Sequence, residues 1–176
     1  WTKKPVTDEI QRRLPTTLET LALSVTIGWA WGILVGVIAA RKPEGWADQI
    51  ARSIAILGLS LPVFWVGMMM IVLPAKYFGW TPLRDYKYIW DDPVQNLQLL
   101  IFPSVILGMF LGAPVMRLMR TTMLEVLRQD YIRTAYAKGL KQTTVIQRHA
   151  LKNGFIPVLT FIGLQVSNLL GGTVIV

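Results

Sequence analysis

The sequence has no cysteine and one histidine in 176 residues. The first absence removes disulfide frameworks, thiolate metal sites and cysteine nucleophiles together, and leaves the redox compartment undecided. The lone His149 follows Arg148 in a basic stretch, where a packing or interface role outweighs metal ligation or proton relay. Also missing are a GxxxxGK[ST] phosphate loop, an acid–base carboxylate pair and a nucleophile–base set, so no catalytic residue and no metal site is nominated. Asp91 and Asp92 are adjacent carboxylates before a proline with no third ligand at a helpful spacing, and they read as a solvated turn. Charge is scarce: 16% of residues are charged against 53% hydrophobic. Together with a mean hydropathy of +0.46, that is too apolar for an ordinary soluble domain. An initiator Met and a signal-peptide pattern are lacking as well, and the chain stops inside the apolar run LLGGTVIV. These ends predict a piece of a longer protein.

What the sequence does have is four apolar runs, about 14–40, 54–78, 99–119 and 154–176, of a length that suits bilayer thickness better than a globular core. They predict an all-α, polytopic transmembrane bundle forming a single domain. In the first run Gly28, Gly32 and Gly36 recur every fourth residue, and Gly108 and Gly112 repeat the spacing in the third. Both sets place side-chain-free positions on one face, where another helix can approach closely. Pro15 fits the first turn of the first helix. The second run carries Gly58, Pro62, Gly67 and Pro74, and prolines there free carbonyls that neighbouring protein or water must satisfy, which predicts a kinked helix lining a pathway. Met68, Met69 and Met70 read as adaptable packing or lipid contact. Residues 79–97 read as a polar loop whose Trp80, Tyr86, Tyr88 and Trp90 suit the headgroup layer. The fourth run holds Gln165, Ser167 and Asn168, which in hydrocarbon need a partner or a wet pathway, and Gly171 and Gly172 are expected to weaken or break its helix. Pro62, Phe64, Trp65, Gln165 and Asn168 are the candidate pathway residues.

Four alternating spans put eleven cations on the side of the 41–52 turn and the 117–152 segment, and seven on the other, where five acids accompany them. The side with eleven is cytoplasmic by the positive-inside rule, although four cations before the first span pull the other way. The formal net charge of +8 therefore does not point to nucleic acid, because the cations alternate with bilayer-length apolar runs instead of forming one soluble face.

The most informative stretch is 131–153, YIRTAYAKGLKQTTVIQRHALKN. Leu124, Leu127, Tyr131 and Ala135 follow helical spacing, with Arg128 and Arg133 off that line, which predicts an amphipathic cytoplasmic helix. Thr121 or Thr122 can cap its start. Gly139 suits its end, with Lys138 in the last turn. A second helix can begin at Thr143 or Thr144. Two helices meeting at a glycine turn make a compact knuckle suited to a cleft in a soluble partner. A loop that only fixes topology, or a helix lying on anionic lipid, would show the same pattern.

The run RTAYAKGLKQTTVIQRHALKNGFIP resembles the cytoplasmic loop of bacterial ABC-importer permeases, whose form is Glu-Ala-Ala, three residues, Gly, nine residues, Ile, one residue, Leu-Pro. Aligned on Gly139, Arg133-Thr134-Ala135 takes the place of Glu-Ala-Ala and Leu151 matches, while His149 stands where Ile is usual and Lys152 where Pro is usual. These departures, with RLPTTLETL, LGLSLPVFWVG and LGGTVIV, are similar to the dipeptide, oligopeptide and nickel branch, over nearly the whole chain. The resemblance implies the type I importer fold with a cytoplasmic coupling segment over 121–153, in a bacterial or archaeal inner membrane. It implies that Tyr131, Arg133, Thr134, Ala135, Tyr136, Lys138, Gly139, Leu140 and Lys141 dock on an ATP-binding subunit. It further implies a heterodimer with a second related permease, two ATP-binding subunits that carry ATP and Mg, a solute-binding protein on the outer face, and a surround of membrane lipid. The chain itself would hold no cofactor and translocate a peptide or related small solute. The competing reading is a non-transporting helical scaffold or receptor that docks a cytoplasmic partner.

Overall fold

The computed structural model describes residues 6–79 and 86–175, and every regular element among them is helical. In order these are α1 (Val6–Arg41), α2 (Trp46–Ser60), α3 (Val63–Phe78), α4 (Pro93–Leu127), α5 (Asp130–Ala137), the single turn α6 (Gln142–Thr144), a π-helical segment (Val145–Ala150) and α7 (Leu151–Ile175). Two of them, α1 and α4, are long and apolar enough to cross a membrane, and the α2 and α3 pair adds a third if counted as one broken span. The chain falls into two compact units, residues 1–28 with 58–111 and residues 29–57 with 112–176.

In the first unit the small residues on α1 and α4 meet. A Cβ built on Gly108 would lie 2.9 Å from Ser24 O and 3.2 Å from Gly28 N, so the two backbones touch where both helices lack side chains. Ser24 and Ser104 are buried there, the Ser24 hydroxyl donating to Thr20 O at 2.6 Å. Such closeness matters in lipid, because tails are as apolar as leucine and association depends on contact distance rather than on escape from water. Toward the start of α4, buried Asn96 donates from Nδ2 to Glu19 Oε2 at 2.7 Å and to Lys87 O at 2.8 Å. Asp92 caps α4: its Oδ1 accepts the Gln95 amide at 3.1 Å, with Pro93 at the first helical position, a pairing suited to a helix start. No residue of α3 is buried within the chain.

The second unit repeats the close approach. A Cβ on Gly32 would lie 2.6 Å from Gly112 O, and one on Gly36 would lie 2.8 Å from both Met116 O and Met119 Cβ. Around these contacts Ala40, Val115, Met119, Met123, Val158 and Ile162 form a core, and Met116 packs with Ala39, Ala51 and Ala55 in a smaller one. Between α1 and α2 the chain turns at Lys42, whose carbonyl accepts the Gly45 amide at 3.1 Å, and Glu44 takes a left-handed conformation at φ 63°.

Several sequence expectations are corrected. Pro15 lies well inside α1, not in its first turn, because the helix extends back to Val6 through a polar, solvated stretch that a bilayer criterion ignores. The second apolar run is not one kinked helix: α2 ends at Ser60 and α3 starts at Val63. Pro62 supplies no N–H and its extended backbone, φ −64° and ψ 130°, precedes α3. The 79–97 loop is shorter than expected since α4 begins at Pro93, and the Trp80 part of that reading lies outside the described residues. Thr121 and Thr122 do not start a helix. They lie within α4, and the Thr121 hydroxyl donates back to Arg117 O at 3.0 Å. The helix expected through Leu124, Leu127, Tyr131 and Ala135 is therefore two helices, separated at Arg128 and Gln129. Gly171 and Gly172 do not interrupt α7, which runs to Ile175.

Candidate functional site

The knuckle is built on α5. Gln129 is extended, with φ −72° and ψ 150°, and Asp130 opens the helix with a charge that favours the positive end of its dipole. The helix runs for eight residues, and the chain closes it at Gly139 with φ 78°. The Leu140 amide donates to Ala135 O at 3.3 Å and the Gly139 amide to Tyr136 O at 2.9 Å. That is a Schellman cap, which needs a left-handed residue at the glycine. Nothing lies within 4 Å of a Cβ at Gly139, so the demand is conformational and not steric.

The two faces of α5 differ. Ile132 and Ala135 are buried against Met119, Met123, Val145 and Ile146. A large apolar side chain such as Ile132 contributes about 1.5–3 kcal/mol when removed from water, so this floor anchors the helix. Tyr131, Arg133, Thr134, Tyr136, Lys138, Gly139, Leu140 and Lys141 are exposed. The structure thus gathers eight of the nine sequence-predicted coupling residues on one surface and puts Ala135 under it. Arg133 leans on Asp130 at 3.4 Å in a fully solvated pair, which adds little. Lys138 and Lys141 leave the knuckle tip cationic.

One bond ties the knuckle to α7, and a second set of contacts ties α7 to the end of α4 beneath it. The Asn153 Nδ2 donates to the Tyr131 hydroxyl at 2.8 Å. Buried Thr122 places its hydroxyl 2.9 Å from Gly154 O and 3.1 Å from Met119 O, while Met123 Sδ would touch a Cβ on Gly154 at 3.0 Å. Between knuckle and α7 the chain is π-helical over Val145–Ala150, beginning after the short α6 at Gln142 instead of at Thr143 or Thr144. The wider turn lets Val145, Ile146 and Ala150 all point into the core.

The candidate pathway residues are distributed over both units. In the first, Pro62, Phe64 and Trp65 are exposed at the start of α3. In the second, Gln165 accepts the Trp29 indole N–H at 3.1 Å and Asn168 is exposed. The partner expected of a polar group in the fourth run is, for Gln165, an aromatic on α1. Gly28 and Gly108 meet in the first unit, Gly32 and Gly112 in the second.

Sequence reasoning passed over one pair. Asp48, 0% exposed, accepts two hydrogen bonds from Arg120, from Nε to Oδ1 and from Nη2 to Oδ2, the latter at 2.7 Å. Its Oδ2 also accepts the Glu44 amide at 2.9 Å, and Arg52 Nε stands 3.7 Å from Oδ1. Removing one partner of a buried pair costs about 3–5 kcal/mol. The two residues are 72 apart, and the only local signal was an acid close to three cations, Arg41, Lys42 and Arg52.

Comparison with known proteins agrees with this architecture. Residues 32–176 match the family described as binding-protein-dependent transport system inner membrane component. The chain belongs to that family. The matched region holds the whole second unit except Trp29 to Trp31, and therefore the knuckle and its floor. Among curated relatives, a putative peptide transport system permease protein of Brucella suis is 39% identical over 173 residues, covering 98% of this chain and 55% of the relative. Dipeptide transport system permease proteins of Alkalihalophilus pseudofirmus and Escherichia coli are each 38% identical over 194 residues, covering 99% and 97% of this chain and 58% and 57% of theirs. The chain spans a little over half the length of these relatives. As a family member it is a membrane-embedded, all-α helical protein.

Proposed function

We propose that this chain is the translocation part of a permease in an ATP-driven importer of peptides or a related small solute. The observation that carries the reading is the α5 knuckle, with polar, cationic and aromatic side chains outward and Ile132 and Ala135 set into the core. Such a short helix, rigidly floored and capped by Gly139, can transmit a push from a cytoplasmic partner without bending. The partner in this reading is an ATP-binding subunit, two of which supply hydrolysis in trans. A second related permease completes the pathway and an outer solute-binding protein delivers cargo. Closure of the ATPase pair would then drive alternating access through the spans. The peptide class is supported by the names of the relatives, and the docking role by the family to which the chain belongs.

The test is uptake of a radiolabelled dipeptide by proteoliposomes holding the full-length permease assembled with its partner subunits. ATP-dependent uptake is expected. Tyr136→Glu, which replaces an exposed ring by a smaller anionic group on the docking surface, is expected to lower uptake about ten-fold while leaving insertion intact. Normal uptake in that variant would refute the docking role. A wild-type complex that binds its partner yet moves no solute would leave the chain a non-transporting scaffold.

A further inference from the structure

The Asp48 and Arg120 pair lies in the same unit as the knuckle but outside its docking surface. Its stability contribution alone does not explain it, because a well-packed apolar pair of similar volume often stabilises a fold as well or better. What the ionic pair adds is register. A guanidinium fork bonded to both oxygens of one carboxylate permits one orientation, whereas apolar contacts tolerate sliding.

The remaining bonds fix which parts share that register. Asp48 also holds the Glu44 amide, so the carboxylate anchors the left-handed turn between α1 and α2 together with the first turn of α2. Along α2, only the small Ala51 and Ala55 are buried against Met116, and such a smooth contact resists translation poorly. On α4, Arg120 is followed by Thr122, beside Gly154 O, and by Met123, which packs on Gly154 and on the Ile132 floor of the knuckle. The end of α4 therefore touches the base of the knuckle through Met123, the start of α7 through Thr122, and the α1–α2 turn through Arg120.

We propose that Asp48 and Arg120 are positioning residues that make the start of α2 move together with the end of α4, so that displacement of the knuckle by a bound partner reaches α2. This rests on the permease reading above. It predicts that loss of the pair separates hydrolysis from transport, because the docking surface stays whole while the register between α2 and α4 is lost.

The experiment measures three quantities on the full-length permease assembled with its partner subunits in proteoliposomes: recovery of the complex, ATP hydrolysis and dipeptide taken up per ATP. The variants are Arg120→Gln, which leaves Arg52 near the carboxylate, Asp48→Asn, and the apolar pair Asp48→Leu with Arg120→Met. The apolar pair, which strands no charge, is expected to assemble and hydrolyse ATP at close to the wild-type rate, and the two single variants, which leave one partner unpaired, to assemble in lower yield. In each recovered complex uptake per ATP is expected to fall about ten-fold, the scale expected of positions that carry coupling. The apolar pair is the decisive variant, since it restores packing without restoring register. Wild-type uptake per ATP in the apolar pair would overturn the proposal, showing that the residues only fill space. Failure of all three variants to assemble would overturn it as well, placing the pair in folding. Absence of ATP-driven uptake by the wild-type complex would instead refute the permease reading itself.

Discussion

Replacing Gly32 with alanine adds one methyl where the helices have no room for it. The new Cβ would stand 2.6 Å from Gly112 O and 3.3 Å from both Gly112 Cα and Met116 N. All three atoms are backbone, so no rotamer relieves the overlap, and α1 and α4 must separate locally by about 0.8 Å to reach ordinary contact at 3.4 Å. A gap of that size forfeits roughly a quarter to a half of each nearby dispersion contact, and overpacking of this kind costs about 1–3 kcal/mol. Alanine's better helix propensity returns up to about 1 kcal/mol, so Gly32→Ala should be net destabilising by about 1–2 kcal/mol. Gly67 and Gly163 are the controls, since nothing lies within 4 Å of a Cβ at either. There only the propensity acts, and alanine should be neutral or mildly stabilising. The assay is reversible unfolding of the purified protein in mixed detergent, followed by tryptophan fluorescence. A Gly32→Ala protein as stable as wild type, or a Gly67→Ala protein damaged as much as Gly32→Ala, would refute the reasoning.

Three further outcomes are expected. Gly139→Ala should destabilise the α5 cap by about 1–2 kcal/mol, because an L-residue pays that in the left-handed region, while Gly139→Asn should lose less; hydrogen exchange of the Leu140 amide reads both. Asn96→Leu should cost about 1.5–3 kcal/mol by stranding the Glu19 carboxylate to which Asn96 now donates, measured by the same unfolding titration. The Gln95 amide, followed by Lys87, holds the Asp92 carboxyl below the usual carboxylate range. Its folded value is depressed, so its contribution to the start of α4 is complete above the ordinary value of about 4 and is lost as pH falls through the lower folded one. Exchange of the Gln95 amide should accelerate over that acidic window in wild type and show no such step in Asp92→Asn.

Much of the site was legible because its causes are local. Gly139 ends α5 since a helix closing in a Schellman turn needs a left-handed residue there, and that requirement is written in one position. The split of α5 was not legible in that way: the line through Tyr131 and Ala135 sets both on one face, whereas the structure buries Ile132 with Ala135 and leaves Tyr131 exposed, because the helix restarts at Asp130 and loses the register of α4. What escaped was the continuity of α4 to Leu127. Thr121 and Thr122 look like caps by type, yet both serve as helix-interior residues whose hydroxyls bond backbone carbonyls.

The sequence by itself determined that this chain is an all-helical membrane protein, because bilayer-length apolar runs leave the backbone no other way to satisfy its polar groups. It also determined the glycine faces and the glycine turn at Gly139, each set by a pattern within one segment, while the start of the knuckle helix at Asp130 was not legible in it. Only the tertiary structure decided that the face of Gly32 meets Gly112, that Gln165 receives the Trp29 indole, and that Asp48 is buried on Arg120. Those are pairings between segments far apart in the chain, and no local pattern specifies a partner that folding alone brings within bonding distance.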